Sequence, residues 1–151
     1  MVKKSDKICI RAYTEVDFLY THDLHLQNMK YFVDKYWGDW NSAIFKKDVA
    51  ADITWIIEYV KQTAGFFVLS LSPKAHLKNI QIHSSFQNKG IGQFVLKHCE
   101  QESKEKGFNE LFLEVFLENR AKKLYERLGY TTYKKTNSHY MMKKDLKSSH
   151  Y

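Results

Sequence analysis

Apolar and polar residues alternate their period several times along the chain, and each change marks an element. Ile8–Ala12 is a short strand candidate. Thr14-Glu15-Val16-Asp17 has the spacing of a capping box, with Thr14 receiving backbone N–H groups and Asp17 favoured in the first turn. A helix beginning at Glu15 places Val16, Leu19 and Tyr20 on one side. His22 to Trp40 lacks clean periodicity and reads as a helix followed by an irregular aromatic segment, with a second helix from about Asn41 to Ala51. The pattern then turns to β. Thr54–Val60 and Gly65–Ser72 are rich in branched and aromatic residues, and joining them through Lys61–Ala64 predicts an antiparallel hairpin. Pro73, the only proline, punctuates the turn into a strand over Leu77–Ile82.

Helical spacing returns at Ile91, Phe94, Val95, His98 and Cys99, predicting a helix over Ile91–Lys106, and again at Ala121, Leu124, Tyr125 and Leu128, predicting one over Arg120–Leu128. Between them lies a strongly apolar strand, Glu110–Leu117; strands near Tyr130–Lys135 and His139–Asp145 close the chain. Gly107 and Gly129 stand where helix C-terminal caps belong. The order β-α-α-β-β-β-α-β-α-β-β predicts an α/β fold of α+β character: one mixed, mostly antiparallel central sheet flanked by helices on both faces. Its parallel pair, Leu77–Ile82 and Glu110–Leu117, is joined by the helix from Ile91 in a right-handed crossover.

At 151 residues with no linker-like stretch, residues 1–151 read as a single domain. Hydrophobic residues at 44% are enough for a packed core, yet no apolar run reaches the roughly 18 residues a membrane span needs. The first residues lack the apolar centre of a signal peptide, and Cys9 and Cys99 read as buried free thiols of a reduced compartment, so a cytoplasmic location is expected. The formal charge of +7 fits a solvated surface, a polyanionic ligand or nucleic acid. Nucleic acid is disfavoured: zinc-finger spacing is absent, and the glycine loop described next lacks the Gly-Lys-Ser/Thr ending of a nucleotide-hydrolysing phosphate loop.

That loop, Gln87-Asn88-Lys89-Gly90-Ile91-Gly92, sits between a strand and a helix, where inward-turned N–H groups and the positive helix end suit a pyrophosphate. An ordinary βα turn is the alternative. Together with Asn119-Arg-Ala-Lys-Lys-Leu-Tyr125-Glu-Arg-Leu-Gly129-Tyr130, the loop resembles the two signature regions of the GNAT acetyltransferase superfamily. The resemblance is specific over Leu77–Tyr130 and only compatible over the first seventy residues; Ser84 departs from the proline many members carry before the loop.

The resemblance implies a GNAT-like acyl-CoA N-acyltransferase fold whose parallel strands splay apart around acetyl-coenzyme A as co-substrate, with no metal. It implies that backbone groups of Ile80, Gln81 and Ile82 pair with the pantetheine arm and that Gln87, Asn88, Lys89, Gly90, Ile91 and Gly92 take the pyrophosphate. Asn119 then orients the coenzyme or caps its helix, and Tyr125 is the general acid, a phenol protonated at neutral pH; the bland alternative is a core tyrosine. The implied activity is acetyl transfer to a primary amine of a small molecule or peptide by direct attack in a ternary complex. The alternative is a non-catalytic acyl-CoA sensor of the same fold. For the general base, counting back from Gln87 gives His76, with Glu58, Glu114 and a water chain as rivals. Tyr31, Tyr36, Trp37 and Trp40, beside Asp34 and Asp39, suit a cationic acceptor, although ordinary packing explains aromatics equally well. His22 and His25 have no evident third partner for a metal. The last strand offers an edge to a second copy, so monomer and homodimer both stand.

Overall fold

A computed structural model describes residues 3–4, 6–38 and 41–147. The chain forms two compact, interleaved units: residues 1–68 with 79–92, and residues 69–78 with 93–151.

The first unit carries β1 (Lys3–Lys4), β2 (Ile8–Ala12), α1 (Phe18–Tyr36), α2 (Ser42–Asp48) and β3 (Thr54–Tyr59), with most of β4 (Gln62–Leu71) and the second half of β5 (Ala75–Ile82). Its strands are ordered β1-β2-β3-β4-β5, and the first three pairings are antiparallel. Tyr13, Leu24, Phe45, Val49, Ile56, Phe66 and Val68 form its core, with Phe45 edge-on to Phe66 at 6.4 Å. The second unit carries the start of β5, most of α3 (Ile91–Glu105), β6 (Glu110–Phe116), α4 (Ala121–Arg127), β7 (Thr131–Lys135) and β8 (His139–Asp145), ordered β5-β6-β8-β7. Here β5 and β6 are parallel and the other two pairings antiparallel. Glu100 ties α3 to the strand layer: it accepts from the Tyr130 hydroxyl at 2.9 Å and from Lys144 at 3.0 Å.

The mixed α/β class, the flanking helices and the parallel β5–β6 pair are as the pattern predicts. The helix expected at the start of His22–Trp40 is present: α1 runs unbroken for 19 residues to Tyr36, held in register by its contacts with β5 and α2 rather than by a clean apolar stripe. Three local expectations change. Glu15–Asp17 forms a 3-10 turn and the α-helix proper begins at Phe18; the Asp17 carboxylate accepts from the Thr14 amide and is clamped by Arg11 at 2.9 Å. The hairpin turn is Val60–Lys61 rather than Lys61–Ala64, since Tyr59 pairs directly with Gln62. The additional β1, two residues long, pairs with Cys9 and Ile10.

Candidate functional site

In the first unit, β5 leads into a 3-10 turn, Ser84–Phe86, then the glycine turn and α3. His83 shapes the entry: its Nδ1 accepts from the Ser85 amide at 3.1 Å, organising the turn without the proline that Ser84 replaces. Asn88 (φ 63°) and Gly90 (φ 79°) adopt left-handed backbone, which Asn tolerates and Gly adopts freely. Among the described residues, the N–H groups of Asn88, Lys89 and Gly90 donate to no protein acceptor. With the first amides of α3 they make an exposed edge suited to an anion. The fit is a backbone one, because the side chains are engaged elsewhere: Gln87 donates to the Ile82 carbonyl at 3.1 Å, and the Lys89 ammonium lies over Tyr59, 5.8 Å from its centroid.

Upstream of the turn, helix α1 reaches β5 through an amide network. Asn79 Nδ2 donates to His25 Nδ1 at 2.9 Å, Gln81 Nε2 donates to Asn79 Oδ1 at 2.8 Å, and Asn28 Nδ2 donates to Gln81 Oε1 at 3.1 Å and to the Ile82 carbonyl at 3.2 Å. Accepting at Nδ1 fixes the neutral His25 proton on Nε2. Burial pulls the His25 pKa down to about 4, against the opposing bond from Asn79. This pairing accounts for His25, while His22 bridges Asp23 and Ser42. The strand approach is tight. A Cβ on Gly65 would stand 2.2 Å from the Gln81 carbonyl oxygen, so only glycine lets β4 and β5 lie this close. Beside His83 runs a groove of about 450 Å³, lined by Val16, Leu19, Tyr20, Asp23, Leu24, Gln27 and His83.

In the second unit, His76 pairs with Phe112 across the parallel ladder, and Phe116 pairs with His139. Glu114, midway between Phe112 and Phe116, shares their face of β6. Burial lowers the pKa of His76 and of His139, and Glu114 opposes both shifts. A carboxylate flanked by two uncharged imidazoles results. His139, its ring 4.1 Å from Phe116, went unnoticed in the sequence because strand pairing alone brings it near Glu114. Tyr125 is 7% exposed on α4, edge-on to Tyr130, and burial pushes its pKa up to about 12. Asn119 accepts from the Ala121 amide at 2.9 Å, so its capping role is realised. Glu58, a rival base candidate, is paired with Arg11 at 2.9 Å.

The acceptor aromatics are divided. Tyr31 and Tyr36 lie on the last turns of α1, and Trp37 follows at its C-terminus; Tyr31 and Trp37 are more than half exposed. Their environment differs from expectation, since Lys35 already places its ammonium over Tyr31 and Tyr36, and Asp34 pairs with Lys30. Trp40 and Asp39 lie outside the described residues.

The acetyltransferase (GNAT) family model matches residues 13–130. The chain belongs to the GNAT acetyltransferase family. The match spans both units and includes the Gln87–Gly92 turn and the Asn119–Tyr130 segment. GNAT structures share the fold at low identity. The PaiA N-acetyltransferase of Thermoplasma acidophilum, solved with coenzyme A, superposes with a TM-score of 0.74 at 18% identity, covering 91% of this chain and 98% of that one. The ribosomal-protein-S18-alanine N-acetyltransferase of Escherichia coli gives 0.68 at 20%, covering 95% and 96%. A Salmonella typhimurium acetyltransferase that modifies the N-terminal serine of ribosomal protein L7/L12 gives 0.72 at 15%, covering 96% and 99%. No curated protein matches the chain. Among the described residues, no helix of this GNAT chain is long and apolar enough to cross a membrane, and no group of three potential metal ligands comes together.

Proposed function

We propose that residues 1–151 work as one acetyl-coenzyme A-dependent N-acetyltransferase domain, acting in the cytoplasm on a primary amine of a small molecule or peptide through a ternary complex, as a monomer or homodimer and without a metal. The observation that carries this reading is the turn after β5, where left-handed Asn88 and Gly90 leave three consecutive amides without protein acceptors at the start of α3. Those amides hold the diphosphate, and Ile80–Ile82 present backbone groups to the pantetheine arm.

His76 takes the proton from the acceptor's ammonium group, and Glu114 stabilises the imidazolium that forms. The freed amine attacks the thioester carbon, the C–S bond breaks with its electron pair leaving on sulfur, the nitrogen's surplus proton passes to the thiolate through solvent, and Tyr125 meets the departing sulfur. At about 12, the Tyr125 hydroxyl is a weaker acid than a thiol with a pKa of roughly 8.5, so it acts as a hydrogen-bond donor while the bond lengthens. A low-pKa imidazole strips a proton from an α-amino group (pKa about 8) more readily than from a lysine (about 10.4), which favours peptide N-termini and weakly basic amines. In this proposal Tyr31, Tyr36, Trp37 and Trp40 are the acceptor-binding residues.

Thiol release from acetyl-coenzyme A over a panel of amines tests the reading, with calorimetry alongside. Turnover with at least one amine is expected; tight binding without turnover would assign the sensor role instead. Tyr125→Phe should lower kcat about 10- to 100-fold with little loss of coenzyme affinity. An unchanged rate removes Tyr125 from the reaction.

A further inference from the structure

Two side-chain amides from different elements converge on one backbone carbonyl. Asn28 on α1 and Gln87 in the glycine turn both donate to the Ile82 oxygen, at 3.2 and 3.1 Å. The second N–H of Asn28 is used as well, by Gln81 Oε1 at 3.1 Å, and Gln81 continues the chain to Asn79 and His25. Gln81 is only 7% exposed, so its amide depends on these partners rather than on water. The network therefore spans three pieces: the helix that carries Tyr31 and Tyr36, the end of β5, and the turn whose amides lack protein acceptors.

A strand end held this way has little rotational freedom about its peptide planes. Strand pairing with an extended ligand arm requires those planes at one angle, and a nest of N–H groups binds an anion only while its left-handed residues stay in place. Fixing the Ile82 carbonyl from both sides serves both needs at once.

We propose that Asn28 and Gln81 are positioning residues for the acyl donor. They lock the Ile82 peptide and, through Gln87, the glycine turn, so that donor affinity is set in part from helix α1, the acceptor-side element. This rests on the donor site assigned above. It predicts that a change on α1, three residues from Tyr31, raises KM for acetyl-coenzyme A rather than for the amine.

The test uses Asn28→Ala, Asn28→Asp and Gln81→Met in the full chain, with coenzyme A titrated calorimetrically and amide exchange followed by mass spectrometry. Asn28→Ala should weaken coenzyme A about tenfold and speed exchange over residues 80–92 in the protein without ligand, because one positioned amide makes two of the bonds. Asn28→Asp keeps the shape but replaces the donor with a charge facing two carbonyl oxygens. It should bind at least as weakly as Asn28→Ala, whereas a purely steric role for Asn28 predicts wild-type affinity. Gln81→Met should resemble Asn28→Ala, and its thermal midpoint verifies that it folds. Unchanged exchange at 80–92 in folded Asn28→Ala, or faster exchange with unchanged coenzyme A affinity, overturns the proposal. Failure of the wild-type protein to bind coenzyme A overturns the donor site itself; the exchange data then still decide whether α1 controls the turn.

Discussion

Two turns of the first unit force the backbone into the left-handed region, and they are built from opposite materials. The turn before α3 uses Asn88 and Gly90 at φ 63° and 79°. The β3–β4 hairpin uses Val60 and Lys61 at φ 47° and 66°, the two positive values that its two-residue connection demands. Asn and Gly adopt that conformation at little cost, whereas a β-branched residue pays about 1–2 kcal/mol. The costly turn therefore lies outside the proposed donor site, and the inexpensive one supplies the amides proposed to hold an anion. If the difference is functional, changing the residues of the α3 turn should cost ligand affinity, and changing those of the hairpin should affect only stability.

The largest effect comes from a different glycine, whose role is space rather than torsion. Gly65→Ala places a Cβ 2.2 Å from the Gln81 carbonyl oxygen, a backbone atom that can yield only by moving β5. Destabilisation of about 3 kcal/mol is expected, read as a lower denaturant midpoint. Retained stability would mean that β4 and β5 can separate there, and the close approach would no longer explain the glycine.

Acid sharpens the contrast from the opposite side, because the donor-side network contains a buried histidine and the hairpin turn does not. His25 has its folded pKa lowered from 6.5 to about 4. The unfolded chain thus binds a proton first, and stability present above pH 6.5 is lost as the pH falls toward 4. His76 and His139, also lowered by burial, act in the same direction, while Asp17, held down by Arg11, adds its loss only below the usual carboxylate range. For a half-buried ring the His25 share is on the order of 2 kcal/mol after solvent screening. Urea midpoints across this window should fall, and His25→Gln, which still offers Asn79 an acceptor, should flatten the slope. An unchanged slope would show that His25 is not the titrating group.

Gly90→Val bears most directly on the comparison. A Cβ at Gly90 meets nothing within 4 Å, so the first carbon of the new side chain costs only torsional strain. About 1–2 kcal/mol of strain, or relaxation of the turn to avoid it, should weaken coenzyme A roughly tenfold with a small change in thermal midpoint. Equal affinity would show that the turn need not be left-handed to bind.

The same contrast explains what could be read from the residues alone. Gln87–Gly92 announces itself because the requirement is local: left-handed backbone selects Asn and Gly, and the helix that follows has clear apolar spacing. Element order was legible for the same reason, each strand and helix having its own period. What stayed hidden depends on contacts distant in sequence. His25 with Asn79, Asn28 with Gln81, and Glu58 with Arg11 are separated by 54, 53 and 47 positions. His25 therefore resembled half of a metal pair and Glu58 a free carboxylate. The regularity of α1 was masked because part of its inward face is polar, filled by His25 and Asn28 rather than by leucines.

The smallest expected effect falls at the hairpin. Val60 is 56% exposed, and its amide donates to the Lys7 carbonyl at 2.9 Å, a bond that any residue other than proline can make. Replacing Val60-Lys61 with Asn-Gly keeps that bond and supplies the residues this turn geometry prefers. The protein should gain about 1 kcal/mol, partly through removed torsional strain, offset by the greater freedom glycine gives the unfolded chain. Coenzyme A affinity should be unchanged, because the cost relieved lies away from the α3 turn. A stabilised protein with weaker binding would mean that Lys89, resting over Tyr59 beside this hairpin, transmits the change to the turn, and the two turns would then be one coupled structure rather than two independent ones.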